Sequence, residues 1–146
     1  MPLFSLARTV PLPPKEAWRR LTRWPRHAGA VPLTRIRVLT PAPNREGTRF
    51  VARSGIGPLT LDDVMEVTVW HPPAGGEDGM CRLEKRGRTI LGWAEIEVRP
   101  APGGGSRVVW REELRVRFLP RAFDGALERT ARRMFGRAAD RLLEQP

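Results

Sequence analysis

The chain has 146 residues, 40% of them hydrophobic, a length that suits one compact domain over residues 1–146 and leaves no room for a second. One cysteine, Cys81, excludes an internal disulfide, and with only His27 and His71 beside it no zinc site of ordinary ligand number can form, so neither metal nor cofactor is expected. The net charge of +10 is nearly all arginine, since only Lys15 and Lys85 of the 26 basic residues are lysines. It is spread along the chain without a run of like charge, which points to the coding bias of a GC-rich bacterial genome more than to a nucleic-acid footprint.

From Met1 to Pro14 no charged region precedes an unbroken apolar run, and no stretch approaches the roughly 20 apolar residues of a membrane span, so the chain reads as cytoplasmic. Phe4 to Val10 is the first predicted strand, with Phe4, Leu6, Arg8 and Val10 on one side. Pro13 or Pro14 then opens a helix over Lys15 to Arg23, whose inner stripe is Ala17, Trp18 and Leu21. Trp24-Pro25 breaks it, and Arg26 to Ala30 adds one more short turn.

From there the apolar period changes from about 3.6 to two. Strands are predicted over Arg35 to Thr40, Thr48 to Ser54, Leu59 to His71, Met80 to Arg86, Thr89 to Arg99 and Arg107 to Phe118, separated by turns rich in Pro and Gly. Hairpin-length connections between sequential strands argue for an antiparallel meander. The first strand can close it beside the last.

After Pro120 the period returns to that of a helix. Phe123, Leu127, Ala131, Met134, Ala138 and Leu142 fall on one face, and Arg121, Arg129, Arg132, Arg133 and Arg137 lie on the other. Such a helix runs roughly 36 Å and needs a broad apolar surface beneath it, which the sheet supplies. The expected class is therefore α+β, a curved antiparallel seven-stranded sheet wrapped around a long C-terminal helix, with two short helices after the first strand and a cavity between sheet and helix.

Several segments carry a resemblance. Val10-Pro11-Leu12-Pro13-Pro14-Lys15-Glu16-Ala17-Trp18, Trp24-Pro25-Arg26-His27 with Val31-Pro32, Gly47-Thr48-Arg49-Phe50 and the closing helix together resemble the SRPBCC superfamily, the START-like and Bet v 1-like helix-grip proteins. The resemblance covers nearly the whole chain. It implies a deep cavity for a hydrophobic small molecule such as a lipid or polyketide, in proteins that either carry the ligand or act on it as cyclases and aromatases. No reaction motif is shared across the superfamily, so no catalytic residue is carried over.

Residues that break the apolar alternation are the sharper guide. Glu112 is in register with Trp110 and Leu114, Asp63 with Leu61 and Met65, and Lys85 with Cys81 and Leu83, so strict alternation turns all three inward. Arg8 shares a side with Leu6 and Val10 and is expected to pair with Glu112 across the closing strands, offsetting the cost of burying a carboxylate. These four, with Phe50, Met65, Trp110, Leu127, Ala131 and Met134, form the expected ligand-binding set. Glu112, Asp63 and His71 are the candidates for acid–base chemistry, and His27 in the short second helix is a further candidate base, a histidine titrating near neutrality. The alternatives are structural: Arg8 and Glu112 tie strands together, a bulge turns Asp63 or Lys85 to solvent, and the histidines end a strand or helix. A hydrophobic small molecule is the expected partner. The arginine face of the last helix leaves a protein or ribosome partner as a further alternative, the absence of tyrosine counts against base stacking, and monomer and homodimer stay open.

Overall fold

A computed structural model describes residues 3–144. The elements are β1 (Leu3–Val10), α1 (Pro14–Thr22), a single turn of tighter helix over Trp24–Arg26, α2 (His27–Ala30), β2 (Thr34–Val38), β3 (Arg49–Ile56), β4 (Leu59–His71), β5 (Gly79–Lys85), β6 (Ile90–Pro100), β7 (Ser106–Val116) and α3 (Asp124–Glu144). The strands form one seven-stranded antiparallel sheet in the order β1-β7-β6-β5-β4-β3-β2. The meander and its closure by β1 beside β7 are therefore as expected, and α3 lies across the concave face.

The period-two pattern sorts the two faces. Inward go Phe4, Leu6, Phe50, Val67, Leu83, Ile96, Val98, Val108 and Trp110, all buried. Outward go the arginines, which meet carboxylates on neighbouring strands: Arg53 with Asp62 at 2.7 Å, Arg82 with Glu95 at 3.0 Å, and Arg111 with Glu97. Cross-strand pairs of this kind are each worth a few tenths of a kcal/mol up to about 1. Trp93 is on this outer face, beneath the Arg82 guanidinium and donating to Glu113 at 3.0 Å. Much of the arginine excess is thus a solvated sheet face laced by ion pairs.

Trp70 faces inward against Trp18, with ring centroids 5.1 Å apart. Strict counting fails for it because the pairing of β4 with β5 shifts between Val67 and Val69. That extra residue reverses the alternation, so Val67 and Trp70 share the inner face although an odd number of steps separates them.

The helices are wedged in by their aromatic residues. Trp18, Leu21 and Trp24 are buried, and Trp24 stacks on Phe50 with centroids 4.8 Å apart. On α3 the buried positions are Ala131, Gly136, Ala138, Ala139, Leu142 and Leu143, so small residues bring the helix close to the sheet at its C-terminal half. Phe123, expected at the head of the stripe, is 52% exposed. It ends a turn of tighter helix over Arg121–Phe123 that precedes α3, and the change of helical pitch swings it off the inner face.

Candidate functional site

The cavity lies where α2 and the middle of α3 stand off the sheet. It measures about 140 Å³, and its walls come from the turn at Trp24, from His27, from the inner faces of β2 to β7, and from Met134 and Phe135 of α3. The lining is overwhelmingly apolar, including Ile36, Phe50, Met65, Leu83, Ile96, Trp110 and Leu114. Aromatic side chains fix its shape: Phe4 stacks on Phe135 at 5.6 Å between centroids, and Phe135 in turn packs against Trp110 at 5.5 Å.

Into this wall the sheet places three charges. Lys85 Nζ donates to Asp63 Oδ2 at 2.7 Å and stands 3.6 Å from Glu112 Oε2. The Lys85 side chain is 1% exposed, that of Glu112 3% and that of Asp63 14%. The register explains the meeting. Lys85 pairs with Met65, so Asp63 is its diagonal neighbour on β4, two residues along. Reaching Glu112 requires crossing β6, where Ala94 pairs with both Leu83 and Glu112. The small Ala94 side chain leaves that path open.

Burial pushes the Glu112 carboxyl above the usual carboxylate range, and the adjacent Lys85 ammonium offsets this only in part. Burial alone would lower the Lys85 ammonium, but Glu112 and Asp63 outweigh it and raise its affinity for the proton. Trp110 Nε1 donates to Glu112 Oε1 at 3.3 Å. Three buried polar atoms have no hydrogen-bond partner among the described residues: Asp63 Oδ1, Trp24 Nε1 and Glu112 Oε2, the last held only by its ion pair with Lys85. Two acceptors and one donor, all on residues of the cavity wall, are left for something else to satisfy.

Because the folded state favours the protonated form of Glu112, the stability this group contributes is full below its unfolded value near 4.5 and falls as pH rises through the higher folded value. Glu112→Gln removes the titration and keeps an oxygen for Trp110. Urea unfolding at about pH 5 and pH 8 should show the variant gaining on the parent as pH rises, by about 1.4 kcal/mol for each unit separating the folded and unfolded values. A difference between the two proteins that does not change with pH would contradict a disfavoured carboxylate.

Other expected site residues lie elsewhere. Arg8 does not meet Glu112: β1 runs antiparallel to β7 so that Phe4 pairs with Glu112 and Arg8 with Val108. Arg8 instead reaches α3, where Nε donates to Asp140 Oδ1 at 2.6 Å, and its guanidinium fills the space beside Gly136. Leu127 and Ala131 pack into the core beside the cavity, because α3 reaches the cavity wall one turn further on, at Met134 and Phe135. His71 is 64% exposed at the far end of β4, 3.9 Å from Glu77, and has no access to the cavity. Phe50, Asp63, Met65, Lys85, Trp110, Glu112 and Met134 share the one cavity.

His27 and Trp24 were not in the expected binding set, yet both line the cavity. Their sequence signal, a kinked turn between short helices, says that they wedge but not which space they border. His27 Nε2 is 2.8 Å from the Leu21 carbonyl oxygen, and burial holds the ring below its ordinary value, so the neutral ring donates there. Cys81 is fully buried, its thiol pushed up to about 12 by desolvation, which makes it a small core residue. Among the described residues no helix is long and apolar enough to cross a membrane.

A curved sheet gripping one long helix over an apolar cavity defines a helix-grip protein of the SRPBCC superfamily, a hydrophobic-ligand-binding fold. The chain belongs within it to the polyketide cyclase / dehydrase and lipid transport family, whose model matches residues 1–145. Solved structures of the same fold include a START superfamily protein from Mycobacterium smegmatis, 12% identical over 98% of this chain and 97% of that one, with a TM-score of 0.72. The human StarD13 (DLC2) lipid transfer and protein localization domain is 13% identical over 99% of this chain and 77% of that one, with a TM-score of 0.75. The Zhui aromatase/cyclase from Streptomyces sp. R1128 is 14% identical over 96% and 85%, with a TM-score of 0.58. At these identities the likeness is one of fold. No curated protein matches the chain.

Proposed function

We propose that the protein binds a hydrophobic or amphipathic small molecule, lipid- or polyketide-like, in the cavity between sheet and α3. The observation that carries this is the coexistence of an apolar cavity with buried polar atoms of its wall that lack a hydrogen-bond partner among the described residues. A fold does not need such atoms, since apolar side chains of similar volume fill a buried ion-pair site with equal or greater stability. The membership of a family named for polyketide cyclases, dehydrases and lipid transport supports the same reading.

Native mass spectrometry of the purified protein, followed by denaturation and extraction, tests it. Retention of an apolar small molecule in stoichiometric amount is the expected result. Trp24 and Trp110 line the cavity, so their emission should change when the emptied protein is titrated with hydrophobic ligands. If nothing is retained and no hydrophobic ligand alters the emission, the reading fails.

A second reading, acid–base chemistry on the bound molecule as in a cyclase or aromatase, is favoured by one observation. Glu112 lies buried in the cavity wall, and that burial biases its carboxyl toward the protonated form against the pull of the Lys85 ammonium 3.6 Å away. Burial of this kind is how a general acid is held at neutral pH. On that reading Glu112→Gln abolishes turnover and leaves binding in place.

A further inference from the structure

The polar groups bordering the cavity fall into two sets. Thr34 Oγ1 and Ser54 Oγ hydrogen-bond each other at 2.8 Å, His27 Nε2 is engaged by the Leu21 carbonyl, and the Lys85 ammonium is held by Asp63 and Glu112. The second set, buried and without a hydrogen bond among the described residues, is Asp63 Oδ1, Trp24 Nε1 and Glu112 Oε2, the last in ion-pair range of Lys85. Glu112 is 2% exposed and Trp24 1%, so bulk water does not serve them. The wall of the cavity thus carries two carboxyl groups, Asp63 and Glu112, and the Trp24 indole whose hydrogen-bonding capacity the protein does not fill.

Charge narrows the choice. One ammonium already faces two carboxyl groups, no arginine is among the residues that line the cavity, and Arg8 is bound to Asp140. A ligand headed by a carboxylate or phosphate would bring a further negative group against this cluster in a desolvated space whose described lining holds no lysine or arginine besides Lys85. A hydroxyl brings none. It donates to Asp63 Oδ1 or Glu112 Oε2 and still has lone pairs for the Lys85 ammonium. Size narrows it again, since about 140 Å³ is close to the volume of engineered apolar cavities that take up benzene.

We infer that the cavity selects a ligand whose buried end is a ring-sized, uncharged group bearing a hydroxyl, such as a phenol or a cyclic alcohol, and that it discriminates against acid-headed lipids. This rests on the ligand-binding reading above and adds the chemistry of the buried end to it. The Trp24 indole N–H further favours an acceptor oxygen elsewhere on the same molecule.

Three probes of one skeleton test it: para-cresol, toluene and para-toluate, titrated calorimetrically into the emptied full-length protein near neutral pH. Cresol should bind roughly tenfold or more tighter than toluene, as expected for one hydrogen bond to a buried charged acceptor, and toluate should bind more weakly than toluene. Asp63→Asn and Glu112→Gln are assayed separately so that one folding failure does not remove the test, and the cresol-to-toluene ratio should fall in the variant that loses the carboxylate the hydroxyl uses. A ratio unchanged in both would overturn the inference. Toluate binding as tightly as cresol would overturn the inference. So would equal affinities for cresol and toluene, which would leave the ligand-binding reading standing and show that the polar cluster does not read the ligand. Failure of all three probes to bind would overturn the inference, and the ligand-binding reading would then be decided by the retention and emission measurements above.

Discussion

Lys85→Met should destabilise the protein by about 3–5 kcal/mol near pH 8, the usual result of removing one partner from a buried ion pair and leaving the other uncompensated. Here two carboxyl groups are left, Asp63 at 2.7 Å and Glu112 at 3.6 Å from the present ammonium, both in the interior of the sheet. Methionine fills most of the lysine volume, so the loss is electrostatic and not a cavity effect. The penalty should shrink as pH falls, because protonating the carboxyl groups removes the uncompensated charge. Adding Asp63→Asn and Glu112→Gln to Lys85→Met should recover most of the loss by the same logic. Urea unfolding of these variants at about pH 5 and pH 8 checks each step. A loss under about 1 kcal/mol for Lys85→Met at the higher pH would mean that the carboxylates find solvent or another cation, and the cluster would no longer count as a desolvated site.

Gly92→Ala is the second large effect. Gly92 lies within β6 at a φ of 126°, a region that side-chain-bearing residues rarely adopt, and it pairs with Leu114 of β7. A Cβ there would fall well inside 3.0 Å of the Glu113 carbonyl oxygen, which is backbone and cannot rotate away. Relief requires β6 and β7 to separate or β6 to straighten, at a cost on the order of 3 kcal/mol. The consequence reaches the cavity, because Leu114 and Glu112 project from the stretch of β7 that would move. Chemical denaturation should therefore show the loss of stability, and ligand titration of the folded fraction should show weakened binding. If the variant is as stable as the parent, the positive φ and close backbone approach at Gly92 are not what holds this part of the sheet in shape.

The two effects draw on different parts of the sequence pattern. Glycine inside a strand is a legible signal that backbone approaches backbone, although the pattern does not say which strand closes in. Charged residues in phase with apolar ones are legible too. Glu112, Asp63 and Lys85 each stand out against the alternation of their strands, and all three project inward. Which charges meet was not legible. Arg8 and Glu112 lie on adjacent strands, but the antiparallel register sets them four positions apart along the ladder, and Arg8 turns to Asp140 on α3. Register depends on where each hairpin begins, and a shift of a residue or two changes every cross-strand partner while leaving the alternation of each strand intact.

His71 shows the same limit. Its titration range made it a candidate base, yet a strand end in front of Pro72-Pro73 lies outside the cavity, and position along a strand is measured only against its neighbours. The bulge between Val67 and Val69 is a third case, since one unpaired residue moves Trp70 to the inner face without leaving a mark in composition.

By itself, then, the sequence determined the order of the elements, the meander and the long helix that covers it. Periodicity, proline and glycine act locally and leave their imprint within a dozen residues. Strict alternation turns Glu112, Asp63 and Lys85 inward, but it is a property of each strand alone and leaves open a bulge that would send Asp63 or Lys85 to solvent. Only the tertiary structure decided that Lys85 joins Asp63 and Glu112 across an open path at Ala94, and that Trp24 and His27 close the cavity they form. Those contacts join strands and helices far apart in the chain, and they depend on register, bulges and sheet curvature, which are fixed by the packing of the whole domain.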